Sequence, residues 1–367
     1  MRIVAKIGTA SITDEHGVIN IAAIARLADE VATLRNRGDE VVIVSSGAVA
    51  AGVAALGMAE RPPDMPTIQA VSAVGQSRLV EAYNVEFARH GLVGAQLLVD
   101  PFDFVHREQY LHLRQTMNRL LELGVVPVVN ENDAIANDEL RYGDNDRIAA
   151  LIANSVGADV LVLLTDMDGV FTADPRRDAS ATLIPFVRSE DPLLSISADA
   201  GGSGRGSGGM ASKLTSARMA SWSGIRSVIA LASRPGVLAG SASNELVGTT
   251  FEPHERTLSA RKLWIAFAAE VAGAIVVDDG AQRALTDRPT SLLPKGVTAA
   301  TGDFEPGDVV DIEASDGRRF GRGIAALSGA VVRESIGMHT SDLPAGVAGH
   351  VVRRDDLVVL EPTTRPG

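Results

Sequence analysis

The chain has 367 residues, more than one ordinary domain, and 46% of them are apolar against 22% charged, which excludes wholesale disorder. Its formal charge of −12 makes it a poor polyanion binder overall. With no cysteine, it has no disulfides, thiolate nucleophile or Cys-ligated zinc, which fits the reducing cytoplasm taken as the expected location.

The first part reads as alternating strands and helices. Ile3–Ile7 is a short strand interrupted by Lys6. Asn20 caps a helix to about Arg37, closed by Gly38. Val41–Ala59 carries no charge and approaches bilayer length. However, β-branched Val41–Val44, the Ser45-Ser46-Gly47 break and the following small residues predict strand, turn and helix instead. Further on come a helix over Thr67–His90, a strand over Val93–Val99, a helix over His106–Leu123 and a strand over Val125–Val129. Asp146–Val156 is a helix stopped by Gly157, Val160–Leu164 a strand, Met210–Ser223 a helix and Ser227–Leu231 a strand.

Strands this apolar belong to a sheet buried on both faces, hence mainly parallel with helices on each side. The expected fold is therefore a three-layer αβα domain over residues 1–255, a charged linker over 256–269, a small β-rich domain over 270–355 and a tail over 356–367. The β-rich runs are Ala274–Val277, Gly307–Ile312, Gly346–Val352 and Leu357–Leu360. No leader segment is expected, because Lys6 breaks the opening apolar stretch.

In parallel sheets, ligands bind beyond the carboxyl ends of the strands. The residues there are small, polar or charged: Lys6, Gly8 and Thr9; Ser45, Ser46 and Gly47; Asn130-Glu-Asn-Asp133; Thr165 and Asp166. A lysine inside an apolar strand either serves a ligand or snorkels from an edge. Ser45-Ser46-Gly47 faces a ligand or caps the next helix. The glycine-rich run 201–209 leads into Met210-Ala-Ser-Lys213, so it is either a flexible linker or a phosphate cradle at a helix N-terminus with Lys213 in reach. It does not match the Walker A spacing. Clustered acids and amides without metal-spaced histidine suit hard cations and ammonium groups.

Taken together, Lys6-Ile-Gly-Thr9, Val44-Ser-Ser-Gly-Ala48, Ala73-Val-Gly-Gln-Ser77, Asn130-Glu-Asn-Asp-Ala134, Gly143-Asp-Asn-Asp146, Leu164-Thr-Asp166 with Gly169, Thr172-Ala-Asp-Pro175 and Gly208-Gly-Met-Ala-Ser-Lys213 form an ordered set that resembles the glutamate 5-kinases, on the amino acid kinase fold. Ser291-Leu-Leu-Pro-Lys-Gly296, Gly302-Asp-Phe and Gly307-Asp-Val-Val resemble the PUA domain appended to many bacterial members. The resemblance covers residues 1–355 and implies ATP-dependent phosphorylation of the side-chain carboxylate of L-glutamate, with Mg²⁺. It also implies feedback inhibition by proline and a homodimer or homotetramer.

Residue by residue, the resemblance implies that Lys6 and Lys213 act on the transferring phosphoryl group, with Asp144 orienting the two lysines. It implies that Ser46, Asp133, Asn145 and Asp146 bind glutamate. Gly8, Thr165, Asp166 and Ser207, Gly208, Gly209, Met210, Ala211, Ser212 and Lys213, together with Lys6, are the expected nucleotide positions. Relatives often have threonine and serine at 207 and 211, a departure that backbone amides tolerate. Protein ligands of Mg²⁺ stay unassigned. Rival readings are a kinase of aspartate, N-acetylglutamate or carbamate, and an RNA-binding PUA protein. The span 271–361 holds 9 basic and 14 acidic side chains, a balance of −5, so nucleic acid is not an expected partner, and no membrane is.

Overall fold

The computed structural model describes residues 1–135, 144–189, 191, 193, 209–255, 257–288, 290–344 and 348–360. It divides into two compact units, Met1–Ala260 and Arg261–Gly367.

The strands of the first unit are β1 (Arg2–Ile7), β2 (Glu40–Val44), β3 (Gly94–Val99), β4 (Val126–Glu131), β5 (Val160–Thr165), β6 (Phe186–Val187), β7 (Arg226–Leu231) and β8 (Gly248–Phe251). They form one sheet in the order β3-β4-β2-β1-β5-β7-β8-β6. Every neighbouring pair is parallel except β7 with β8. The helices are α1 (Thr9–Ile12), α2 (Ile21–Asn36), α3 (Ala48–Ala55), α4 (Met65–Ala88), α5 (Arg107–Glu122), α6 (Asn145–Val156), α7 (Met210–Ser221) and α8 (Val237–Ala242).

α2 packs on α4 and α8, while α6 packs on α5 and α7. Ile3, Ala5 and Ile7 join the core that includes Leu27, Val31, Leu79 and Leu238. Side chains alternate across a strand, so Lys6 faces the opposite layer, the one holding α6 and α7. That alternation decides which helices the lysine can meet.

Local chemistry sets the element ends. Asn20 Oδ1 accepts the Ala23 amide at 3.1 Å and starts α2. Asp144 caps α6, and Gly157, at φ +63°, ends it. Gly47, at φ +96°, turns the chain from Ser46 into α3. The uncharged stretch 41–59 is thus β2, a turn and α3, and among the described residues no helix is long and apolar enough to cross a membrane.

Three departures have physical reasons. β4 runs to Glu131, because Leu98 and Val99 of β3 pair with Asn130 and Glu131 and keep these polar residues in the ladder. The antiparallel β8 carries no long apolar run, and Gly248 lets it approach β7 so closely that a Cβ there would lie 2.2 Å from the Ile229 carbonyl oxygen. Within the charged linker expected over 256–269, the described residues include α9 (Ala260–Leu263), followed by a π-turn over Trp264–Ala268 whose residues are all buried.

The second unit holds β9 (Val271–Val277), α10 (Asp279–Asp287), β10 (Val297–Thr301), β11 (Val309–Glu313), β12 (Arg319–Ala325), α11 (Gly329–Glu334) and β13 (Val352–Val359). Its sheet order is β10-β9-β11-β12-β13, with β9 and β11 parallel and the other pairs antiparallel. Ile275, Phe304, Val310, Ile312, Phe320 and Leu357 fill its core. β13 continues to Val359, so the tail expected from residue 356 begins as a buried strand end. The run expected over Gly346–Val352 lies partly outside the described residues; within it, only Val352 opens a strand.

Candidate active site

The carboxyl ends of β1, β2, β4 and β5 and the starts of α6 and α7 meet on one rim. At its centre is Asp146, in the first turn of α6. Lys6 Nζ lies 2.7 Å from Asp146 Oδ1, and Lys213 Nζ lies 3.1 Å from Oδ2. The carboxylate thus bridges two ammonium groups that come from residues far apart in the chain. All three are withdrawn from water, at 0% exposure for Asp146, 4% for Lys6 and 5% for Lys213. Burial works against an ionised Asp146, but the charges and hydrogen bonds of Lys6 and Lys213 outweigh it and hold its carboxyl below the usual carboxylate range.

The resemblance gives Asp144 the orienting of the two lysines; the carboxylate in direct contact with both is that of Asp146. Asp144 accepts the Asp146 amide at 3.1 Å as the α6 cap, accepts the Ser212 hydroxyl from α7, and lies 3.3 Å from Arg147 Nε. Burial and the neighbouring Asp146 charge raise its carboxyl pKa, against the pull of Ser212, Arg147 and Lys6.

A second group of side chains flanks this centre. Asn145 Nδ2 donates to Ser46 Oγ at 3.2 Å, and Asn145 Oδ1 accepts the Glu131 amide at 3.3 Å. Asp133 accepts from Ser72 Oγ at 3.2 Å. Burial raises its pKa, and the Ser72 hydrogen bond and Arg61 oppose that. Glu131 is 4% exposed and is pushed up to about 8 by burial, then by Asp133, Asp100 and Asp144. It is therefore carried largely as the neutral acid at pH 7.

Several of these groups have no signal of their own in the sequence. Ser72, Gln76 and Tyr83 sit on the buried face of α4. Gln76 accepts from Asn130 Nδ2 at 2.8 Å, and Tyr83 shares a 3.0 Å hydrogen bond with Ser45. The signal available was the polar residue recurring on an apolar helix face, including Gln76 within Ala73–Ser77. α4 reaches the rim because it crosses α3 with the backbones touching: a Cβ on Gly75 would lie 1.8 Å from the Ala48 carbonyl oxygen.

Of the remaining expected positions, Gly8 and the start of α7 adjoin the lysines. Gly8 lies beside Lys6, since a Cβ built there would be 3.7 Å from the ammonium nitrogen. Gly209 caps α7, and Met210, Ala211, Ser212 and Lys213 form its first turn. Ser207 and Gly208 fall outside the described residues. Thr165 Oγ1 donates to Asp166 Oδ1 at 3.0 Å. Both line a cavity of about 490 Å³, together with Ile7, Ala10, Arg234 and Val237. The centre can neutralise phosphoryl charge, the α4 flank can hold an ammonium and a carboxylate, and the cavity has room for a nucleoside.

The amino acid kinase family profile matches residues 1–230, and that of the PUA domain matches residues 273–347. The glutamate 5-kinase of Nocardia farcinica is 44% identical over 356 residues, covering 97% of this chain and 96% of that protein. The glutamate 5-kinase of Myxococcus xanthus is 45% identical over 364 residues, 98% of this chain and 96% of that protein. A T. acidophilum isopentenyl phosphate kinase crystal structure, a product complex, superposes with a TM-score of 0.50 at 18% identity, covering 69% of this chain and 100% of the other. That last likeness concerns the fold alone.

Proposed function

The chain belongs to the amino acid kinase family and, within it, to the glutamate 5-kinases, and on that basis we propose how its residues divide the labour of the reaction. The enzyme transfers the γ-phosphoryl group of ATP to the side-chain carboxylate of L-glutamate, giving L-glutamyl 5-phosphate and ADP at the first step of proline biosynthesis. Mg²⁺ enters with ATP as part of that substrate. Among the described residues, no group of three or more His, Cys, Asp or Glu side chains is arranged to hold a metal ion.

A glutamate carboxylate is already ionised near pH 7. Its oxygen attacks the γ-phosphorus, the bond to the β–γ bridging oxygen breaks, and ADP departs with that electron pair. No proton has to be removed, so no general base is needed and the lack of cysteine and of a placed histidine is no obstacle. What the transfer needs is alignment and cancelled charge. In our reading Lys6 and Lys213 contact the transferring group while Asp146 holds them in place. Asp133 pairs with the substrate ammonium. Ser46 and Asn145 hydrogen-bond its carboxylates. The amides of Gly209, Met210, Ala211 and Ser212 face the phosphates at the positive end of α7, with Gly8 leaving room beside Lys6. The cavity beside Thr165 and Asp166 takes the nucleoside.

The observation that carries this reading is the Lys6–Asp146–Lys213 cluster: two buried ammonium groups on one carboxylate, at the rim where strands end. Incubation with glutamate, MgATP and hydroxylamine tests it, the expected product being a hydroxamate that depends on both substrates. ATP binding without any hydroxamate would overturn it.

Three finer points belong to the same proposal: inhibition by proline, assembly as a homodimer or homotetramer, and a cytoplasmic location. The catalytic unit is set at residues 1–260, with the β-rich unit after it. The charge balance of −5 over residues 271–361 supports a structural or regulatory role for it over RNA binding. Assay with added proline, and sizing of the purified enzyme by light scattering, check the first two. Turnover unaffected by proline, or a monomer at working concentration, would remove them.

A further inference from the structure

Ser212 carries a side-chain contact that the phosphate-facing amides of α7 do not explain. Hydroxyls on a helix commonly turn back to the carbonyl four residues earlier, as Thr215 does to Ala211 at 3.0 Å. Ser212 instead reaches across to another helix and donates to Asp144 Oδ2, with Asp146 Oδ2 a further 3.4 Å neighbour. It is 5% exposed and stands immediately before Lys213. Asp144 thus works in two directions: Oδ1 holds the α6 amide of Asp146, and Oδ2 holds α7. One carboxylate therefore ties the helix that presents Asp146 to the helix that presents Lys213.

We propose that Ser212 is a positioning residue for phosphoryl transfer, its hydroxyl fastening the first turn of α7 to Asp144 so that Lys213 stays seated on Asp146. This rests on the assignment of Lys213 to the transferring group. The contact is set at the base of the lysine's own turn, where a small displacement is carried directly to the ammonium. A misplacement of about 1 Å in such a site can reduce turnover by roughly 10²-fold.

The charges around Asp144 give the proposal a signature that a packing role lacks. Asp146 from α6 disfavours its ionised form, while the Ser212 hydroxyl from α7, Arg147 from α6 and Lys6 from β1 favour it; Glu131 from β4, nearby, keeps its proton at pH 7. Burial has already raised its carboxyl. Loss of the hydroxyl removes the tie to α7 and raises that pKa further, so Asp144 takes up a proton at a higher pH and loosens the hold it has left, the cap on the Asp146 amide. The acidic limb of the activity profile then moves upward.

The test uses the full-length enzyme and four proteins: wild type, S212A, S212T and S212V. The last two are near-isosteric and differ by the hydroxyl. The readouts are kcat and KM for glutamate and MgATP between about pH 6 and 9, with a thermal melt of each. S212A and S212V are expected to lose kcat by roughly tenfold or more, with KM for glutamate within about twofold and the acidic limb moved to higher pH. S212T is expected to keep wild-type kcat within about threefold and the wild-type limb. Should S212A fail to fold, the Thr–Val pair decides. A hydroxyl-free variant with wild-type kcat and pH profile, or S212T as impaired as S212V, would overturn the proposal. Wild type that makes no hydroxamate would instead overturn the assignment beneath it, so the two failures are separable.

Discussion

Replacing Asp146 with asparagine keeps the shape of the side chain and removes the charge between the two lysines. At an effective dielectric of about 20, unit charges at 2.7 and 3.1 Å attract by roughly 6 and 5 kcal/mol before desolvation. Most of that gain offsets the removal of three ions from water. The measurable quantity is the stability lost when one member goes and the others stay buried. Breaking a buried pair in this way typically costs about 3–5 kcal/mol. For a domain of this size class each kcal/mol lowers Tm by about 2–4 °C, so apo Asp146→Asn is expected to melt roughly 6–20 °C below wild type. A bound triphosphate resupplies negative charge beside Lys6 and Lys213. MgATP is therefore expected to raise Tm more in the variant than in wild type. Salt is expected to change the gap little, because buried charges are poorly screened. Thermal melts with and without MgATP, in low and high salt, measure all three effects. An apo variant melting within about 2 °C of wild type would refute the claim that Asp146 is what makes burial of the lysines tolerable.

Lys6→Ala and Lys213→Ala are each expected to lower kcat by roughly 10²–10³-fold with much smaller changes in KM, and steady-state kinetics showing unchanged turnover would remove either from the transfer step. Asp133→Ala is expected to raise KM for glutamate by roughly 10²-fold while ATP binding, read by titration calorimetry, stays intact; equal loss of both would indicate damage to the fold. Glu131 ionises near the ordinary 4.5 when unfolded and near 8 when folded, because burial and then Asp133, Asp100 and Asp144 disfavour its charge. Between those values the unfolded chain sheds a proton that the folded chain keeps, so this residue lowers stability as pH rises from about 5 to 8. Glu131→Gln is expected to gain on wild type across that window, by up to roughly 5 kcal/mol in denaturant melts, and a pH-independent difference would contradict it. Gly75→Ala would place a Cβ 1.8 Å from the Ala48 carbonyl oxygen and 2.4 Å from the Gly52 amide nitrogen. Because backbone cannot yield as a side-chain tip does, a loss of about 1–3 kcal/mol or more is expected in chemical denaturation, with a raised glutamate KM because α4 bears Ser72.

Much of the first unit is legible in its sequence because its strands are buried on both faces. Val41–Val44 and Val160–Leu164 read as apolar runs, and Asn20 and Gly157 mark helix ends with residues suited to caps. β8 is not legible, since four residues opening with glycine carry no period. Nor is the buried Trp264–Ala268 turn, preceded by a charged segment that suggested exposure. β12 alternates well enough, but Gly321 and Gly323 interrupt it, and each makes room for the neighbouring strand. In the site, Lys6 and Lys213 stand out because a lysine in an apolar strand and one at the start of a helix after glycines both ask for a partner. The choice between Asp144 and Asp146 does not stand out. They are two residues apart at one helix start, and their roles differ because α7 brings Ser212 to one and Lys213 to the other, while Lys6 of β1 also meets Asp146. That distinction lies in the packing of α6 on α7, beyond the reach of local sequence.

The electrostatics of the centre explain why a kinase for a carboxylate can dispense with histidine. Two lysines with one carboxylate leave a single net positive charge, while Arg147 stands against Asp144 a few ångströms away. Without Asp146 the two lysines would face each other in a water-poor pocket with nothing between them to offset their repulsion. The incoming phosphoryl oxygens then compete with Asp146 for ammonium groups already in position, so little reorganisation is left for the moment of transfer. The same logic runs in reverse at the α4 flank. There Glu131 keeps its proton, which spares Asp133 a second negative neighbour and leaves that carboxylate the better able to ionise opposite an ammonium. Placement of charge, with no proton transfer at any step, is therefore sufficient chemistry for this reaction.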